Sequence, residues 1–156
     1  MNIRCYNFNL SISQSVLKIF NRYVQIHPKS PESGGILTGE IYDNIINLLN
    51  CSEPSDLDQR SRYNFNRSFI AAQKFINEKF KISSGKEIYL GEWHTHPEDH
   101  PSPSNTDIKN FLKTIKNNHL NSNVHFMIII GRLSIYIEIY IDKKFDEKII
   151  VTISDL

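Results

Sequence analysis

The segment from Val124 to Ile141 constrains the fold more than any other part of the chain. Val124 to Ile130 is strongly apolar, Gly131-Arg132 offers a turn, and Leu133 to Ile141 runs back, so the pair reads as a β-hairpin. In the second arm Ile135, Ile137, Ile139 and Ile141 alternate with Tyr136, Glu138, Tyr140 and Asp142. That period of two predicts one packed face and one partly wet face. The longest apolar stretch, Phe126 to Ile130, is far too short to span a bilayer. As a hydrophobic strand it is also a candidate edge for self-association.

Two more hairpin arms and three helical patterns surround this element. A short opening strand is expected around Ile3 to Phe8. A helix follows with Val16, Leu17, Phe20, Tyr23 and Val24 on one face, capped by Ser11 or Ser13. Pro28 and Pro31 break the chain before Gly34 to Gly39, which begins a hairpin turning near Asp43-Asn44 and returning through Ile45 to Leu49. Ser52 to Arg62 is polar and reads as a surface loop or a substrate flap. Asn66 to Phe80 carries Phe69, Ile70, Phe75, Ile76 and Phe80, an amphipathic helix whose trailing turn ends at Gly85. A further helix from about Asn105 to Asn117 turns Ile108, Phe111, Leu112 and Ile115 inward, and Lys148 to Ile153 offers a last strand. Hairpin, helix, strand, helix, hairpin describes an α/β domain: a mixed curved sheet flanked by helices, with 1–156 as a single domain.

Eighteen basic against seventeen acidic residues leave the chain near neutrality. It lacks the concentrated positive field that non-specific phosphate binding requires, which argues against nucleic acid as a partner. No segment is fit to enter a membrane. Cys5 and Cys51 are too few for a disulfide scaffold and no signal-like segment precedes the first polar residues, so a reducing cytoplasm is the expected compartment.

The chemistry is concentrated between Glu87 and Asp107. Glu87 to Trp93 is a strand-like run, and residues two apart on a strand share a face, so His94 and His96 can turn toward one ion while Trp93 packs on the other side. Two imidazoles and the Asp107 carboxylate suit Zn²⁺ and leave a fourth position for water. A plainer reading competes for part of this: Ser104-Asn105-Thr106-Asp107 has capping-box spacing beside Pro103, so Ser104 and Asp107 can serve the helix start alone. His100 reads as a cleft-rim or solvent residue. His27, His119 and His125 have no spacing partner.

A glutamate upstream, then His94-Thr95-His96-Pro97, six residues, and Ser104-Asn105-Thr106-Asp107 closely resembles the JAMM signature of the JAB/MPN metalloprotease family. The run Pro31-Glu32-Ser33-Gly34-Gly35-Ile36-Leu37-Thr38-Gly39 looks like that family's glutamate strand, and the resemblance covers roughly residues 14 to 141. It implies the JAB/MPN, cytidine-deaminase-like fold. It implies Zn²⁺ held by His94, His96 and Asp107, Glu32 as general base and Ser104 as oxyanion donor in amide or isopeptide hydrolysis. From the residues alone Glu32 and Glu92 are even candidates for the base, because Glu92 shares the strand face of His94. Glu40 reads as a surface strand residue.

The short single-domain form and the run Gly91 to Pro97 look like the deconjugating proteases of CBASS antiphage operons. These reverse attachment of a cyclic-oligonucleotide synthase's C-terminus to targets, opposing an E1/E2-like ligase. Related enzymes process ubiquitin-like modifiers or sulfur-carrier proteins with the same metal chemistry. Two other classes stand beside these: a non-catalytic MPN-like interaction scaffold, and a zinc amidase for a small molecule. A groove fit for an extended protein tail separates the last from the proteases.

Overall fold

The structure is a computed structural model that describes residues 1–153; Ser154 to Leu156, the end of the predicted domain, lie outside the described residues. Its strands are β1 (Asn2–Arg4), β2 (Asn9–Ile12), β3 (Gly34–Tyr42), β4 (Ile45–Cys51), β5 (Gln59–Ser61), β6 (Asn64–Asn66), β7 (Ile88–Thr95), β8 (Val124–Ile130), β9 (Ser134–Ile141) and β10 (Lys144–Thr152). Helices α1 (Gln14–Tyr23), α2 (Phe69–Ile82) and α3 (Asn105–Asn117) complete it. Eight strands form one sheet in the order β1-β2-β4-β3-β7-β8-β9-β10, and β5 pairs with β6 alone. Most neighbours are antiparallel; β2 with β4 and β7 with β8 are parallel. The β7 to β8 step is crossed by α3, as a parallel pair requires a long connection.

Burial divides along the alternation of each strand. Leu37, Trp93, Phe126 and Ile128 share one core cluster with Phe20 of α1, whereas Met127 packs with Phe111 and Ile115 of α3, and Ile36 with Ala72 of α2. Thus α1 covers one face and α2 and α3 cover the other. The sheet is curved enough that residues near both edge strands, Ile3 and Ile149, feed the same cluster. The Tyr6 N–H donates to Glu147 across that gap at 2.9 Å.

Four expectations change. The opening strand is split, because the Cys5 N–H donates to the Phe8 carbonyl at 2.9 Å and closes a turn between β1 and β2. The second face of β9 is not wet: α3 roofs it, and the buried Glu138 carboxylate accepts from the Tyr136 and Tyr140 hydroxyls at 2.8 and 2.6 Å. Phe126 to Ile130 is not an edge. It lies in β8, hydrogen-bonded on both sides and buried throughout, so it offers no free ladder. The Ser52 to Arg62 segment contains β5. Ser13, rather than Ser11, caps α1 by accepting from the Val16 N–H. Among the described residues no helix is long and apolar enough to cross a membrane.

Candidate metal centre and cleft

β7 carries the histidines to the end of the central sheet. It pairs with β3 on one side, Gly34 opposite His94, and with β8 on the other, Ile129 opposite His94. A bulge interrupts this strand where the β3 register shifts between Leu37 and Thr38. Gly91 there has φ 150°, and a Cβ would meet the Phe126 carbonyl oxygen at 2.0 Å, so only glycine fits. The bulge brings Tyr89 to the face of Glu92, whose Oε1 accepts from the Tyr89 hydroxyl at 3.3 Å. Beyond the bulge, alternation holds: Trp93 is buried against Phe20, with ring centroids 5.2 Å apart, and His94 and His96 face away.

Asp107 arrives from the first turn of α3. Its Oδ2 accepts from the Ser104 N–H at 2.7 Å, and the Ser104 Oγ accepts from the Asp107 N–H at 3.1 Å, a complete capping box. The capping reading and the ligand reading therefore do not compete. The same carboxylate places Oδ1 3.6 Å from His94 Nε2 and Oδ2 3.4 Å from His96 Nε2, while the two Nε2 atoms stand 3.2 Å apart. A tetrahedral site with bonds of roughly 2.0–2.1 Å has ligand atoms about 3.3–3.4 Å from one another. The donor set, two nitrogens and a carboxylate with the fourth corner open to the cleft, fits Zn²⁺. Burial alone would raise the Asp107 carboxyl, but the neighbouring imidazoles hold it well below the carboxylate range. Burial disfavours charge on His96, yet Asp107, Glu32 and Glu98 outweigh it and raise its pKa.

Glu32 lies just before β3 and is buried at the opposite wall of the cleft. Burial pushes its carboxyl up to about 7, His96 pulls it down in part, and Asp107 and Glu98 push it further up. Its backbone is held by β5: the Glu32 N–H donates to Ser61 O at 2.7 Å, and Arg60 Nε donates to Glu32 O at 2.7 Å. The polar segment first read as a surface loop is thus the support of Glu32. Gly34 lets the Phe65 ring of β6 sit against β3; a Cβ there would meet that ring at 2.6 Å.

Glu92 does share the cleft with His94, as its position on the strand implies. Its Oε1, however, is taken by Arg67 Nη2 at 2.8 Å as well as by Tyr89. Glu40 is partly exposed on β3, and His100 bonds to Ser134 Oγ at 3.1 Å. The cleft holding Glu32, His94, His96, Ser104 and Asp107 measures about 650 Å³. Arg67 and Thr114 also line a second, more apolar recess of about 340 Å³ between α2, Tyr89 and Leu120. Arg67 and the recess carry no spacing signal in the sequence, and neither does Gln25, whose bonds are described below.

The chain is similar in sequence and in fold to known proteins. The family described as prokaryotic homologs of the JAB domain matches residues 22–140. A protein named CD-NTase/cGAS isopeptidase from Escherichia coli is 39% identical over 132 residues, covering 85% of this chain and 82% of its own length. Proteins of the same name from Vibrio cholerae and Pseudomonas aeruginosa are 39% and 32% identical, covering 70% and 83% of this chain and 68% and 82% of their own lengths. The solution structure of protein DSY2949 from Desulfitobacterium hafniense shares the fold, with TM-score 0.58 at 18% identity over 88% of each chain. With its glutamate loop, its histidine strand and the start of α3 all within the matched span, the chain belongs to the prokaryotic JAB-domain family.

Proposed function

We propose that this protein is a zinc-dependent isopeptidase that releases a protein conjugated through its C-terminus, a CD-NTase as in the names of its relatives, from the amines of target proteins. The observation that carries the reading is the convergence of His94, His96 and Asp107 from two elements, with Glu32 facing them from a third, in one open cleft. An E1/E2-like ligase would make the conjugate this enzyme removes.

In this reading His94, His96 and Asp107 hold the ion. Zinc, when bound, supplies a Lewis acid for the scissile carbonyl and lowers the pKa of the attacking water. Glu32 takes the proton of that water as the carbon–oxygen bond forms, then returns it to the amine as the carbon–nitrogen bond breaks. The products are the modifier's carboxylate and the target's free amine. Ser104 accepts the Asp107 N–H through its oxygen, which leaves its own proton free to stabilise the developing oxyanion. Arg67, fixed by Glu92, forms part of the cleft wall.

The recess favours an extended tail over a small amide. At about 3.3 Å per residue, β7 from His94 back to Tyr89 spans roughly 16 Å. At about 1.5 Å per residue, α3 from Asp107 to Asn118 also spans roughly 16 Å. Both lengths put the recess about five extended residues from the ligand atoms. A pocket so placed is useful on the side of the substrate that does not vary. In deconjugation that side is the modifier's tail, because the amine belongs to many targets.

The test is incubation of the wild-type protein and of His94→Ala and His96→Ala with a conjugate made by the cognate E1/E2-like enzyme. Intact mass of the released C-terminus and zinc content per chain are read together. One zinc per wild-type chain, loss of zinc in the variants and release only by the zinc-loaded protein are expected. Zinc bound equally by a protein carrying both substitutions would remove the metal assignment. Efficient cleavage of a sulfur-carrier fusion in place of the conjugate would reassign the substrate.

A further inference from the structure

Gln25 is fully buried just past the end of α1, and the hydrolytic scheme above does not use it. Both polar atoms of its amide nonetheless have partners. Its Oε1 accepts from Thr95 Oγ1 at 3.0 Å, and its Nε2 donates to Ser30 O at 3.0 Å and to Arg62 O at 3.1 Å. Thr95 lies between His94 and His96 and, by the alternation of a strand, points to the face opposite them. The same Thr95 oxygen accepts from the Ser33 N–H at 3.0 Å, and the Thr95 N–H donates to Ser33 O at 2.8 Å.

These partners flank Glu32 on every side. Ser30 precedes it and Ser33 follows it. Arg62 adjoins Ser61, whose carbonyl accepts the Glu32 N–H at 2.7 Å. The stretch from Val24 to Ser33 contains no helix or strand, so no ladder fixes it. Two prolines, Pro28 and Pro31, remove donors from it. Its place against β7 is set by the backbone bond from Thr95 to Ser33 together with side-chain bonds, and Gln25 is where the side-chain bonds from the loop, the β5–β6 hairpin and the histidine strand meet.

We propose that Gln25 is a positioning residue that holds Glu32 at a set place relative to His94 and His96 before any substrate binds. The catalytic consequence rests on the hydrolytic reading; the positional claim does not. Displacing a catalytic group by about 1 Å can cost about 10²-fold in rate. Gln25 acts on that distance through Ser33 and Thr95, without touching the reacting atoms.

The experiment pairs conjugate-cleavage kinetics with amide hydrogen exchange in zinc-loaded protein. Gln25→Met has similar length and none of the three bonds; Thr95→Val deletes a single hydroxyl and serves if the first variant folds poorly. Each should lower kcat by about 10–100-fold with KM within about twofold and zinc retained. Thr95→Ser, which keeps the hydroxyl, should restore most of kcat. A core variant remote from the cleft, Ile137→Val, matched for loss of Tm, should keep kcat. Exchange at Glu32, Ser33 and Thr95 should accelerate at least tenfold in Gln25→Met. Unchanged exchange there would overturn the proposal even with conjugate cleavage intact, as would a loss of kcat equal to that of the matched core variant. Faster exchange at these amides in Gln25→Met, with no conjugate released by the zinc-loaded wild-type protein, would keep the positioning role and reject the hydrolytic one.

Discussion

Glu32→Gln should make the metal-free protein more stable while removing its activity. Glu32 is 6% exposed, and burial moves its carboxyl from the ordinary 4.5 to about 7. At about 1.36 kcal/mol per pKa unit, that difference of 2.5 corresponds to about 3 kcal/mol. The sign follows from proton uptake. Below about pH 4.5 the group is protonated both folded and unfolded, and Glu32 costs the fold little more than glutamine. As pH rises toward 7, the unfolded chain ionises freely and the folded chain does not, so stability is lost progressively. Above 7 the loss is complete. Glutamine has no proton to lose, so the variant's advantage should grow from near zero at pH 4 to about 3 kcal/mol at pH 8. For a chain of this size that is a rise in Tm of roughly 6–12 °C. Thermal melts in chelator across this range measure it. Loading with zinc should shrink the gap, because a cation beside the carboxylate offsets its desolvation. Meanwhile kcat should fall by roughly 10²–10⁴-fold with zinc retained. An advantage for the variant that is absent at pH 8, or that grows as pH falls, would refute the argument. Full turnover by the variant would remove Glu32 as the base.

Two substitutions separate structure from chemistry elsewhere in the cleft. Ser104→Ala should destabilise the fold by about 1 kcal/mol through loss of the cap and should also lower kcat, whereas Ser104→Asp should keep the cap and lower kcat further by setting a negative charge near the oxyanion; equal kcat in both and in wild type would leave Ser104 a cap alone. Gln73→Trp, at an exposed position lining the recess, should raise KM for a conjugate with a full-length tail and leave a short amide substrate unaffected. Equal effects on both substrates would separate the recess from tail binding.

The elements that carry the ligands were legible because their signals are local. The β7 strand, the start of α3 and the β8–β9 hairpin rest on alternation, a capping box and a turn, and each stands where these cues put it. What was not legible depends on partners distant in the chain. The Tyr136 and Tyr140 hydroxyls that satisfy Glu138 are only two residues away, but α3, which roofs this face, comes from a distant part of the chain, so the face read as wet is buried. The apolar run Phe126 to Ile130 fits an edge or a centre equally until β7 and β9 are known to flank it. β5 and β6 are too short and too polar for a period to register, yet they hold the backbone of Glu32. A lone glutamine at a helix end has no spacing signal at all.

The proposed scheme takes Glu32 rather than Glu92 as the base, although Glu92 is the nearer to the histidines in sequence. Glu92 lies on the strand face of His94, two residues away, but Arg67 and Tyr89 both donate to its Oε1, so its carboxylate is tied into an ion pair on the cleft wall. Moving a proton onto that carboxylate would weaken an ion pair that is only about one-fifth exposed on either side, leaving the Arg67 charge poorly compensated. Glu32 has the opposite surroundings. Among the described residues no cationic side chain is bonded to its buried carboxylate, and its backbone is pinned by β5. Burial therefore raises its proton affinity toward neutrality, and in the proposed scheme the surrounding bonds would fix where the proton is received. The Arg67–Glu92 pair stands at the junction of cleft and recess, so in the proposed scheme Glu32 would transfer the proton and Glu92 would shape the path to it.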